Sequence, residues 1–159
     1  MRDLNIAYGG SRQAKTWVNK TIGFNKLKER LKVTIRTPES AEEYAKMNKV
    51  QRDLAKDHGG FVGGVLKGGR RKIDTVESRS MLSLDGDRIT KEFLEEFEAT
   101  FPYTSVLYTT HSSTEENPRA RIVCPLTRDV TPEEFVAVSR YVAQMLGIDY
   151  FDECSYLPN

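Results

Sequence analysis

The stretch "MLSLDGD" (81–87) ends an apolar run in two aspartates, Asp85 and Asp87, with one glycine between them. Two carboxylates at i and i+2 repel each other unless something positive lies between them. At a strand end they can reach one hard cation or bridge two, and divalent ions that bridge phosphate oxygens assist nucleotidyl transfer. The competing reading is a strand-to-helix turn in which Asp87 caps the helix that follows. Three further groups belong to the same chemistry. His111, in "YTTHSS", sets an imidazole beside hydroxyls that can hold a triphosphate oxygen, or simply opens a loop. "GGFVGGVLKGGRRK" (59–72) joins close-approach glycines to Lys67, Arg70, Arg71 and Lys72, a set suited to phosphate, or simply a flexible basic hairpin. It is not a Walker-type loop. "IDYFDECSY" (148–156) offers Asp149, Asp152 and Glu153, one of which can supply a third ligand, or is simply an acidic loop. His58, at a helix end before two glycines, reads as structural.

Charge is divided along the chain. Residues 1–72 carry net +10 and residues 73–159 net −9. A basic half joined to an acidic half suits a polyanion cradled on one side and processed with metal ions on the other, or two solvated faces. Cys124 and Cys154 read as reduced thiols. No apolar run approaches the ~20 residues of a bilayer span, and the N-terminus lacks the apolar core of a secretion signal. The expectation is therefore a cytoplasmic protein without a membrane partner.

The elements that must position these residues become regular after residue 72. "SRSMLSLD" (78–85) reads as a strand, "TKEFLEEFEATF" (90–101) as a helix, "TSVLYTT" (104–110) and "RARIVCPL" (119–126) as strands, and "TPEEFVAVSRYVAQML" (131–146) as a helix. Thr131, Pro132 and Gly147 punctuate the last helix. This β-α-β-β-α order is five sixths of the split βαβ, ferredoxin-like unit. A sixth strand is expected near Tyr156, where the chain reaches Asn159. Either that strand is very short or the chain is a fragment of a longer protein. Upstream, 24–31 reads as a short helix, 37–60 as one helix with Ser40 and Glu43 in a capping box, and "FVGGVL" as one short strand. The expected class is α+β, one domain over 1–159. Its 73–159 part is an RRM-like or ferredoxin-like βαββα(β) unit, preceded by a helical and glycine-basic hairpin extension. Alternation puts Leu82, Leu84, Ile122 and Cys124 against the helices. It leaves Met81, Ser83, Asp85, Asp87, Arg119, Arg121 and Val123 on an open face. With Val106 and Tyr108 read as core, Thr109 and His111 join that open face.

Asp85-Gly86-Asp87, then Thr109-Thr110-His111, then Phe151-Asp152 with Tyr156, resemble the ordered motifs of the archaeo-eukaryotic primase superfamily. "GGFVGG" and "LKGGRRK" ahead of the aspartate strand resemble the primase-polymerase domains of phage and mobile-element replication proteins, where such a domain often precedes a helicase. The resemblance implies template-directed synthesis or extension of primers in a bacterial host cell, on a palm-like sheet. Asp85, Asp87 and Asp152 would hold two Mg²⁺ or Mn²⁺ ions, and His111 would contact the incoming nucleoside triphosphate. Thr109, Arg119 and Arg121 stand nearby as candidate nucleotide contacts. Lys67, Arg70, Arg71 and Lys72 would follow a single-stranded DNA template, and a replicative helicase is the expected partner. Two rivals remain. One is a non-catalytic nucleic-acid-binding or regulatory module of the same fold. The other is a strand-nicking initiator, for which two histidines are too few.

Overall fold

The computed structural model describes residues 2–159. The first strand, β1 (Asp3–Gly9), buries Leu4 and Ile6 completely, and pairs antiparallel with β2 (Val18–Gly23). The helix α1 (Phe24–Leu31) follows at once and turns Phe24 and Leu27, three residues apart, into the same core. Two short helices come next, α2 (Ala41–Lys46) and α3 (Lys49–Ala55). The single helix expected over 37–60 is divided because Asn48 adopts extended dihedrals and caps α3, its side chain accepting from the Gln51 amide. The Ser40–Glu43 capping box forms as read, and opens α2.

"FVGGVL" is two strands rather than one. β3 (Gly60–Val62) pairs with β1, giving a sheet ordered β2-β1-β3, while β4 (Gly64–Leu66) enters a second sheet ordered β4-β5-β7-β6. That sheet is completed by β5 (Val76–Gly86), β6 (Val106–Thr109) and β7 (Ala120–Val130), all antiparallel. Gly63 and Gly64 carry the chain across. A Cβ on Gly63 would stand 2.8 Å from the Met81 Cβ, and one on Gly64 only 2.0 Å from the Ser78 carbonyl oxygen. These close-approach glycines therefore admit the protein's own β5.

The helices α4 (Lys91–Thr100) and α5 (Pro132–Leu146) cover one face of the second sheet. Leu82, Leu84, Ile122 and Cys124 meet Phe97, Phe135 and Phe151 there, as alternation predicts. The opposite face is not open. Met81 and Val123 pack against Leu4, Ile6, Ile22, Phe24 and Leu27, so the β2-β1-β3 sheet and α1 cover its apolar rows. Their side chains are too apolar to be left in water, and the N-terminal extension buries them. A polar node fixes this second contact. At the β-bulge around Ser80, the Ser80 hydroxyl accepts from the Asn5 amide and donates to Asp129, which also accepts from Arg2 and the Asn5 side chain.

The sixth strand does not form. After Gly147, at φ 104, the chain makes a 3-10 turn, and Phe151 makes one isolated bridge to Gly86. A further 3-10 turn spans Glu153–Tyr156. The Asp152 carboxylate accepts from the Cys154 amide and curls the backbone there. The place beside β5 is thus shared, β4 at one end and residues 151–155 at the other.

Candidate nucleotide and nucleic-acid site

Three side chains form one row across the second sheet. Asp85 on β5 and Tyr108 on β6 both lie opposite Arg121 on β7, and so share its face. The Arg121 guanidinium grips Asp85 with two bonds, Nε to Oδ1 and Nη2 to Oδ2 at 2.9 Å. Burial lowers the pKa of Arg121, but the bond to Asp85 and its charge outweigh burial and raise it overall. Burial raises the Tyr108 phenol. This row corrects the expected faces. Val106 and Tyr108 do enter a core, but it is the second one, on the Asp85 side. Thr109, opposite Ala120, falls on the other face.

Below Asp85 lies a groove between the β3–β4 crossing and the 154–159 segment. Arg71, Arg79, Arg121, Ser83 and Ser155 line it, and among the described residues Asp85 is the only acidic side chain in its walls. Arg79 is buried and has no carboxylate partner among the described residues. Its guanidinium lies 3.9 Å from the Phe135 ring centroid. It donates to the carbonyls of Gly63 at 3.1 Å, Pro158 at 2.8 Å and Met81 at 3.2 Å. Burial, with the charge of Arg71, brings its pKa down to about 9, so it stays cationic at neutral pH. Arg71 rests over the Trp17 ring at 5.2 Å. Burial and the charge of Arg121 lower its pKa. Among the side chains, three guanidinium groups face one carboxylate, so the lining side chains carry net positive charge.

The three aspartates are only partly brought together. The Asp152 amide donates to the Asp85 carbonyl at 2.9 Å, which sets the two residues side by side. The charges of both bear on Cys154, whose thiol is pushed up chiefly by Asp152. Asp87 is exposed and pairs with Arg119 at 3.4 Å. The positive charge beside the two carboxylates thus comes from guanidinium groups, Arg121 at Asp85 and Arg119 at Asp87. The carboxylates are the hard oxygen donors that Mg²⁺ and Mn²⁺ take. Among the described residues, though, no three His, Cys, Asp or Glu side chains form a group able to hold a metal. The residues fit a divalent ion in kind but not in this arrangement.

His111 lies outside the groove walls. Its Nε2 is 2.9 Å from the Thr37 hydroxyl and 3.5 Å from Glu39, and its ring centroid is 4.7 Å from that of Tyr44. Ser112 bonds the Tyr44 hydroxyl at 3.1 Å. These contacts join the β6–β7 connection to the start of α2. Lys67, Arg70 and Lys72 are exposed on a loop whose Gly69 carbonyl accepts from the Trp17 amide at 2.7 Å. Only Arg71 of the four turns into the groove. Sequence reading missed Arg79. The available signal was an arginine inside a strand whose neighbours alternate between two apolar faces.

No helix among the described residues is long and apolar enough to cross a membrane. No curated protein and no solved structure matches the chain. The sequence profile of the VapE N-terminal domain matches residues 1–159. The chain belongs to that family, a VapE-like family of phage and mobile-element replication proteins.

Proposed function

We propose, with this family membership as premise, that the domain engages nucleotide or nucleic-acid phosphate through the groove below Asp85 during replication. The carrying observation is the convergence of Arg71, Arg79 and Arg121 on one groove with a single opposing carboxylate. Arg71, held by the Trp17 face, and Arg121, aimed by Asp85, present guanidinium donors, which suit phosphate better than ammonium groups do. Arg79 adds a fixed buried charge behind them. Lys67, Arg70 and Lys72 on the adjoining loop extend the positive surface along a single-stranded template. Binding of this kind needs no metal. A labelled single-stranded oligonucleotide should bind in the presence of EDTA, with affinity that falls steeply with salt. Arg71→Ala should weaken binding and reduce the salt slope by about one. Equal affinity and slope in the variant would remove this reading.

A second reading, template-directed nucleotidyl transfer that makes or extends primers, is favoured by the Asp152 amide bond to the Asp85 carbonyl. It needs Mg²⁺ or Mn²⁺ at Asp85, Asp87 and Asp152, and hence release of Asp85 by Arg121. It also needs nucleoside triphosphates and, in the full replication apparatus, a helicase. Asp85→Asn separates the two readings. Loss of a counter-charge should strengthen metal-free phosphate binding, whereas loss of a metal ligand should abolish Mn²⁺-dependent primer synthesis. Synthesis that persists in the purified variant would eliminate the second reading.

A further inference from the structure

The core between the two sheets is edged by aromatic side chains that it does not fully cover. Phe61 on β3 and Tyr8 on β1 both pack against it, and both are only half-buried. They are directly opposite each other across the strand pair, so they share one face of the first sheet. Phe61 also lines the arginine groove. Val18 on β2 stands on the far side of Tyr8 in the same row and is 52% exposed. The row therefore runs from the groove wall to open solvent.

The charge along this row is positive. Lys20, two residues after Val18, lies on the same face and is exposed. Arg30 on α1 donates to the Tyr8 hydroxyl at 2.8 Å, its guanidinium 5.5 Å from the centre of that ring. Neither cation forms an ion pair among the described residues. Glu29, the one acid of α1, is held by Lys32 at 2.8 Å. Asp3, the one acid on the three strands, falls on the opposite face. Aromatic side chains interleaved with free cations, beside a groove of arginines, suit a nucleic acid whose bases are free to stack. A duplex offers no such bases, because its own already stack on one another. We infer that a single strand leaves the groove across β3 and β1, stacking bases on Phe61 and Tyr8 while Arg30 and Lys20 meet its phosphates. This inference rests on the groove holding phosphate, and adds the part of the ligand that phosphate contacts cannot recognise.

Fluorescence anisotropy with two labelled strands of equal length tests it, one an oligothymidine and the other built of stable abasic sites. The two carry the same phosphates and differ in their bases. The wild type should bind the oligothymidine about fivefold or more tightly. Phe61→Leu should lose about fivefold or more on the oligothymidine, with abasic binding and the salt slope unchanged, because no charge is removed. Unchanged abasic binding also checks that the variant folds. Tyr8→Leu is the second variant and should behave in the same way, whereas Phe61→Tyr keeps a ring and should bind as the wild type does. Arg30→Gln should reduce the salt slope by about one on either strand. Equal affinity of the wild type for the two strands overturns the inference and leaves the phosphate reading intact. So do leucine variants that bind oligothymidine as the wild type does, or that lose both strands equally. An Arg71→Ala protein with undiminished affinity and slope instead removes the phosphate reading, and this inference falls with it.

Discussion

Asp129 is the acceptor at which the first sheet is fastened to the second. Its carboxylate takes bonds from Ser80 at 2.6 Å, Arg2 at 2.6 Å and the Asn5 side chain at 2.7 Å. Asp129→Ala removes all three. Arg2 and Asn5 are half-buried and can turn toward water. Ser80 is fully buried and cannot. The Ser80 hydroxyl still accepts from the Asn5 amide, but its proton is left without an acceptor, which costs about 1–3 kcal/mol, and the lost bonds to a charged acceptor add to it. The expected loss at pH 7 is about 2–4 kcal/mol, read as a shift of the urea midpoint with unchanged slope. The same carboxyl predicts a pH dependence. Burial raises its pKa, but the bonds from Ser80, Arg2 and Asn5 outweigh burial and hold it below 3.8. A carboxyl lowered on folding contributes stability that is present above its unfolded pKa of about 4 and lost as pH falls through its folded value. The gap between wild type and variant should therefore narrow as pH drops below about 4. A loss under about 1 kcal/mol at pH 7 would refute the argument. So would a gap that stays constant down to pH values where wild-type Asp129 is protonated.

Other perturbations follow from the same geometry. Gly64→Ala drives a Cβ into the Ser78 carbonyl, and backbone cannot yield as a flexible side chain does. Denaturation should show a loss of about 1–3 kcal/mol or more. Phe135→Ala empties the centre of the helix-side core and should cost about 3–5 kcal/mol by the same assay. Phe135→Leu keeps most of the volume but removes the ring facing Arg79, and should cost more in wild type than in an Arg79→Met background, by about 0.5–2 kcal/mol. Equal costs in the two backgrounds would show that the ring does not support the buried cation.

The regular part of the chain was legible because its signals are local. Thr131, Pro132 and Gly147 bound α5 as their chemistry dictates. Period-two alternation assigned Leu82, Leu84, Ile122 and Cys124 to the helix side. What stayed hidden was long-range. Nothing near Met81 or Val123 announces that Leu4 and Ile6 will cover them, so the second face read as open. "FVGGVL" read as one strand because nothing local shows that Gly63 crosses between sheets. The expected strand near Tyr156 failed to a local competitor, the Asp152 side chain bonding its own backbone. The Asp85–Asp87 pair stood out locally, but the side chains that pair with it, Arg121 and Arg119, lie more than thirty residues away along the chain.

Because residues 60–66 pair first with β1 and then with β5, one short piece of backbone is stitched into both sheets with no slack between. A jaw that opens and shuts would need a joint there, and the Gly63 carbonyl, bonded to the amides of both Ser80 and Met81, clamps the place where the joint would be. The two layers must therefore tilt together or not at all. The groove walls are set together, and heat should melt both layers in a single step.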